Sequence, residues 1–265
     1  MLIGEAAVKH SERIASWKNI ASNDHARIQE TDWFWNTIID AYNKNKVHET
    51  MSRTLVKICG LCREEDVQLA IEEGADILGF VLANSPRKTN GVFIRMIRDK
   101  NIIPFHIPAV GVVVGKPSDE HLQLVQDGLL QALQIHDSKD GVSNPDKSFY
   151  NELRIPWYKA MQLGTLEDCD RAYVNGSPRT LFDAYSSTVA GGTGNRVDEK
   201  LITEVSRHLP LWLAGGLTPE NIESVLMEHN IELVDVSSGI EDAPGVKNHD
   251  KMREFIYKAK AHHYY

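Results

Sequence analysis

Two side chains in this chain have the chemistry to move protons, a thiol at Cys59 and a carboxyl at Asp183. Each closes a short apolar run, "TLVKICG" at 54–60 and "RTLFDA" at 179–184. A carboxyl at the end of such a run loses part of its hydration, so Asp183 is expected to titrate high and to act as an acid near neutrality. A buried cysteine is most often a small hydrophobe. Residue type alone therefore leaves Cys59 between packing and thiol chemistry. Three glycine-rich stops follow, "GGTG" at 191–194, "LAGGL" at 213–217 and "VDVSSGIE" at 234–241. Gly215, Gly216 and Gly239 carry no Cβ, so an anion can approach the main-chain amides closely. Ser237 and Ser238 add hydroxyl donors, and the loop holding Gly192 and Gly194 is long enough to fold over the same anion. A thiol, a carboxyl and a phosphate cradle together suggest proton shuffling on a sugar phosphate. Arg87 in "NSPRK" offers a two-pronged donor for a carboxylate, or else a structural ion pair. His136, ending "ALQIH", reads as structural rather than catalytic, and Cys62 and Cys169 read as packing residues.

These residues need a scaffold that brings strand ends together. From about residue 54 the chain alternates short β-branched runs with charged, helix-period segments. Eight strand candidates begin at 54, 77, 109, 132, 158, 179, 211 and 233. They are nearly continuous apolar runs, as for parallel strands buried on both faces. The helices between them carry readable ends. "REEDVQLAIEEG" has an acidic first turn and a stop at Gly74, Ser118 caps "DEHLQLVQ", and Thr218 is placed as the cap of "PENIESVLMEHN" with Pro219 at its first position. Eight such units in this length predict an α/β chain folded as a (β/α)8 TIM barrel. A doubly wound sheet would announce itself with G-x-G-x-x-G after the first strand, and "KICGLCR" is not that. In a barrel, residues at the C-terminal strand ends meet at one mouth, and the loops after strands seven and eight commonly hold phosphate.

Composition narrows the partners. The 265 residues carry a net charge of −8, which argues against a general nucleic-acid binder. Three cysteines without framework spacing argue against a secreted disulfide scaffold. "CGLC" lacks the second ligand pair that a zinc site needs. No metal cluster or cofactor motif competes, so no metal and no cofactor are expected. No apolar run is long enough to span a bilayer, and "MLIGEAAVKH" is not a signal peptide, so the expected address is the cytoplasm. Residues 1–50 are read as a helical extension ahead of the barrel domain at 51–265, with helical segments at 4–21 and 25–43. Trp33, Phe34, Trp35, Ile38, Ile39 and Tyr42 form an apolar patch too rich to leave in water. It would pack on the barrel, or serve a second copy or a pathway enzyme; a start of translation at Met51 is the remaining alternative.

In order and spacing, "KICGL", "GFVLANSPR", "VGVVVG", "QIH", "FDA" with "GGTG", "LAGGLTPENI" and "VDVSSGIEDAPGVKNHDKMREFI" resemble the phosphoribosylanthranilate isomerases of tryptophan biosynthesis over about 54–258. The resemblance implies a cofactor-free Amadori rearrangement of N-(5-phosphoribosyl)anthranilate to the 1-deoxyribulose 5-phosphate product. It implies Cys59 as general base, Asp183 as general acid, Arg87 on the anthranilate side, and Gly192, Gly194, Gly215, Gly216, Ser238 and Gly239 around the phosphate. The histidine-pathway isomerase of the same chemistry has Asp where Cys59 stands, so Cys59 speaks against it. The chain departs from the family pattern at Cys62, usually Thr; at Val113 or Val114, often Phe; at Asp137, usually Gly; and at Val197-Asp198-Glu199, usually Phe-Asp-Trp. These positions lie on loops and on the rim of the aromatic pocket.

Overall fold

Eight of the apolar runs do form parallel strands, and each pairs with its sequence neighbour until the last meets the first. The computed structural model describes residues 33–44, 52–139, 144–183, 199–261 and 263–264. The strands are β1 (Leu55–Cys59), β2 (Ile77–Val81), β3 (Ala109–Val114), β4 (Ala132–His136), β5 (Trp157–Gln162), β6 (Thr180–Asp183), β7 (Leu211–Ala214) and β8 (Ile231–Val236). They close into one barrel. The closing seam pairs Leu55 with Leu233 and Lys57 with Asp235. Beside it, a two-residue strand at Ser52–Arg53 runs antiparallel to His263–Tyr264 and clasps the two ends of the barrel chain together.

Several of the helices outside the barrel, though not those at Glu64–Glu72 and Ile222–Glu228, start where a side chain satisfies their first amides. In chain order after the first strand they are α2 (Glu64–Glu72), α3 (Gly91–Asp99), α4 (Asp119–Gln126), α5 (Lys147–Glu152), α6 (Leu166–Val174), α7 (Glu199–Ser206), α8 (Ile222–Glu228) and α9 (His249–Ala261). Ser118 accepts from the His121 amide while the His121 ring accepts from the Ser118 amide, a reciprocal capping box. Asn90 and Thr165 cap α3 and α6. Gly74, with φ of +90°, ends α2 as expected. Two expectations are corrected. Thr218 does not cap α8: its carbonyl accepts from Asn221 and Ile222 in a tight turn, its hydroxyl accepts from Glu220, and the regular helix starts one turn later. The eighth strand begins at Ile231 rather than 233, and Ser238–Ile240 leave it as a 3₁₀ turn.

Apolar side chains fall into two clusters. The larger lies between the strands and the outer helices, with Val56, Ile58, Leu78, Phe80, Leu133 and Phe182 among its members. The smaller fills the barrel interior near the N-terminal strand ends, and it contains a guest. Helix α1 (Trp33–Lys44), ahead of the barrel, sends Phe34, Trp35 and Ile38 among Leu55, Ile77, Ala132, Tyr158, Leu181, Trp212 and Leu233. Phe34 stacks on Tyr158 at 6.4 Å between ring centroids, and Trp35 meets Trp212 at 6.2 Å. Tyr158 and Trp212 themselves meet edge to face at 5.0 Å. Helix α1 thus plugs the floor of the barrel. Its aromatic face is used inside its own chain, so Phe34, Trp35 and Ile38 form no surface for a partner. The predicted helix at 4–21 lies outside the described residues, as do the side chains of Ile39 and Tyr42.

Candidate active site

A side chain on β1 can reach one on β4 only through the barrel interior. Lys57 does so: its Nζ donates to Gln134 Oε1 at 2.7 Å and to Asp235 Oδ2 at 2.5 Å. Side chains alternate along a strand, so residues two apart share a face. Cys59 follows Lys57 by two on β1, and His136 follows Gln134 by two on β4. Leu181 belongs to the interior cluster, so Asp183 also turns inward. Cys59 and Asp183 are the last residues of β1 and β6. Both therefore turn to the inside of the barrel at its C-terminal mouth. Cys59 is 7% exposed and Asp183 half-buried. Room for the sulfur comes from the neighbouring strand: a Cβ at Gly79 would sit 2.8 Å from Cys59 Sγ.

The floor of this mouth is a buried polar layer. Tyr158 OH and Lys57 Nζ both donate to Gln134 Oε1. The Gln134 amide nitrogen meets His136 Nε2 at 2.8 Å. Burial alone would lower the Lys57 ammonium, but the Asp235 carboxylate, with help from Cys59 and Tyr158, holds it protonated well above its usual range. Burial pushes the Cys59 thiol up and Asp235 adds to that, while Lys57 and Lys247 pull it back. Burial, with the Lys57 and Lys159 ammonium groups, depresses His136 to about 4, so at neutral pH its ring is uncharged. Sequence alone assigned neither Lys57 nor Asp235 a role in this site. A charged residue in each of two apolar strands, on the inward parity, was the available signal.

The residues expected to cradle a phosphate divide between described and undescribed positions. Gly215 and Gly216 lie in the left-handed region, with φ of +89° and +62°. The loop after β7 meets the turn after β8 so closely that a Cβ on Gly239 would stand 1.9 Å from the Leu217 carbonyl oxygen. Ser238 and Gly239 open that turn. Gly192 and Gly194 lie outside the described residues.

Arg87 is the main adjustment to the predicted site. Its Nε and Nη2 already hold Glu241, at 2.9 and 2.7 Å. Glu241 also accepts from Lys247 Nζ at 2.9 Å. The structural-ion-pair reading of Arg87 is therefore realised along one edge of the guanidinium. All three cysteines are unbridged. Cys62 donates to the Arg87 carbonyl at 3.0 Å. Cys169 is buried within α6. Among the described residues no helix is long and apolar enough to cross a membrane.

A family model described as N-(5'phosphoribosyl)anthranilate (PRA) isomerase matches residues 56–258, and so spans the barrel from β1 into α9. The chain belongs to the N-(5'-phosphoribosyl)anthranilate isomerase family. It is accordingly an isomerase. Relatives of that name from Trichlorobacter lovleyi and Chloroherpeton thalassium are 38% and 36% identical, over 77% of this chain and 97% and 94% of their own. The crystal structure of phosphoribosyl anthranilate isomerase from Thermotoga maritima superposes with a TM-score of 0.69 at 31% identity. It is covered whole by 79% of this chain. A second isomerase structure, solved in complex with reduced 1-(o-carboxyphenylamino)-1-deoxyribulose 5-phosphate, gives 0.67 at 30% identity. Helix α1 precedes the residues that carry the family match.

Proposed function

We propose that this isomerase converts N-(5-phosphoribosyl)anthranilate to 1-(2-carboxyphenylamino)-1-deoxyribulose 5-phosphate in the cytoplasmic pathway to tryptophan, with Asp183 as general acid and Cys59 as general base. One observation carries the assignment of roles: the thiol and the carboxyl end β1 and β6 on the inward parity, at the mouth where the loops of β7 and β8 also meet. Asp183 gives its proton to the furanose ring oxygen, and the ring opens to an iminium. Cys59 as thiolate takes the proton from C2′, and the electron pair moves to neutralise the iminium nitrogen. The resulting enolamine tautomerises to the ketone. No oxidant or reductant is consumed.

The substrate's ends would be held by different parts of the mouth. The phosphate rests on the amides of Gly215, Gly216 and Gly239 and the hydroxyl of Ser238. The anthranilate carboxylate meets the Nη1 end of Arg87, whose other edge Glu241 fixes. Because Cys59 is pushed up by burial, the resting thiol is mostly protonated at neutral pH. The positive iminium then favours the thiolate at the moment it is needed. A relative from Thermotoga maritima is described as dimeric. If this chain also pairs, the surface used is not the buried aromatic face of α1.

The test follows the fall in anthranilate-ribotide fluorescence with purified wild type, Cys59→Ala and Asp183→Ala. Loss of general acid–base catalysis costs about 10²–10⁴-fold. If neither substitution slows turnover tenfold, the assignment of roles is wrong.

A further inference from the structure

Among the described residues Lys57 is the one fully buried lysine inside the barrel, and the reaction just described does not use it. Its exposure is 0%. A buried ion pair can often be replaced by apolar residues of similar volume without loss of stability. Packing alone therefore gives no reason for an ammonium at this place. Its surroundings give one. Nζ is held from one side by Asp235 at 2.5 Å and from another by Gln134 at 2.7 Å. The Cys59 thiol stands one inward position further along β1, on the same face, where the Lys57 ammonium favours its ionised form. Gln134 is fixed in turn by Tyr158, the ring on which α1 packs.

We propose that Lys57 is a positioning residue of the isomerisation: its ammonium, aimed by Asp235 and Gln134, stabilises Cys59 as the thiolate that removes the substrate proton. The inference rests on Cys59 being the base. The other charged or titratable groups around the sulfur are Asp235 on β8, Tyr158 on β5, Arg87 after β2 and Lys247 after β8, with His136 and Asp183 at the ends of β4 and β6. Asp235 opposes the thiolate and Lys247 favours it. His136 is neutral at working pH, and Tyr158 is held protonated by burial. Lys57 is the cation that shares the inner face of β1 with the sulfur. Asp235 both anchors that cation and weakens its effect, so the two residues act on the thiol with opposite signs.

The opposite signs make the test. In the full-length chain carrying Cys62→Thr, the rate at which iodoacetamide labels Cys59 is followed by peptide mass spectrometry from pH 6 to pH 10, together with the pH profile of kcat/KM. Lys57→Met moves both midpoints to higher pH and slows labelling at pH 7 by about tenfold, the equivalent of one pH unit. Asp235→Asn moves the midpoints to lower pH, and Lys57→Arg restores most of the wild-type profile. A general loosening of the core would move the two variants the same way. Unmoved midpoints, or shifts of one sign in both variants, overturn the proposal. Should Lys57→Met not fold, the downward shift in Asp235→Asn and the rescue by Lys57→Arg decide it. Cys59→Ala is run beside them: full activity there refutes Cys59 as base, whereas an inactive Cys59→Ala with unmoved midpoints refutes only the role of Lys57.

Discussion

The floor plug can be tested without reference to catalysis. Trp35 is 3% exposed and sits between Phe34, Tyr158 and Trp212, at ring separations of 4.9, 6.4 and 6.2 Å. Among the described residues the indole Nε1 of Trp212 has no hydrogen-bond partner. The contact between the two indoles is therefore apolar and rests on fit. Trp35→Ala opens a cavity of indole size in the narrow end of the barrel, where closed strands limit collapse. Such truncations cost about 3–5 kcal/mol. For a chain of this length each kcal/mol is worth about 2–4 °C in Tm. The expected fall is roughly 6–20 °C, read by far-UV circular dichroism and by calorimetry at matched concentration and scan rate. Tyr257→Ala, at a ring 74% exposed on α9, is the control and should move stability by less than about 0.5 kcal/mol. Phe34→Leu keeps most of the volume and should cost less than about 1.5 kcal/mol. A Trp35→Ala protein that melts within about 2 °C of wild type would refute the claim that α1 is part of the barrel core.

Three further expectations concern the mouth. Glu241→Gln removes the carboxylate that aims Arg87, so KM rises several-fold while kcat changes little, measured in the fluorescence assay; an unchanged KM would show that Arg87 aims itself. Gly239→Ala forces the β7 loop away from the β8 turn, costing about 1–3 kcal/mol in urea unfolding and weakening competitive inhibition by inorganic phosphate. His136 binds its proton at about 4 in the folded chain and near its ordinary value of 6.5 when unfolded. The unfolded state therefore binds more protons between those values, and stability is intact above about pH 6.5 and lost as pH falls toward 4. The loss is on the order of 3 kcal/mol by pH 4, and urea midpoints at pH 7.5 and 4.5 should differ more in wild type than in His136→Gln.

How far the chain could be read follows from how local each signal is. The eight strands were legible because a strand buried on both faces must be apolar throughout, and the runs were too short to be helices. The caps at Ser118 and Gly74 were legible because a cap is a contact within four residues. Thr218 misled because its hydroxyl serves the turn before α8 rather than the helix itself. Cys59 and Asp183 could be placed at a mouth because both end strands. Lys57 was hidden in "TLVKICG", since its meaning depends on Asp235, 178 positions away. The grip of Glu241 on Arg87 spans 154 positions and has no local trace. The aromatic run at 33–35 declared that it needed cover, but not that the cover was the inside of a ring closed far downstream.

That ring has a consequence for synthesis. β1 lies between β2 and β8, and the clasp at Ser52–Arg53 waits for His263–Tyr264. A ribosome adding about 5–20 residues each second needs roughly 10–35 s to travel from the first barrel strand to the last. Throughout that interval the nascent sheet is an open ribbon with two bare margins, and the tryptophan-rich plug has no socket to enter. Yield of native enzyme should therefore respond to growth temperature and chaperone supply more sharply than the melting point of the finished protein would suggest.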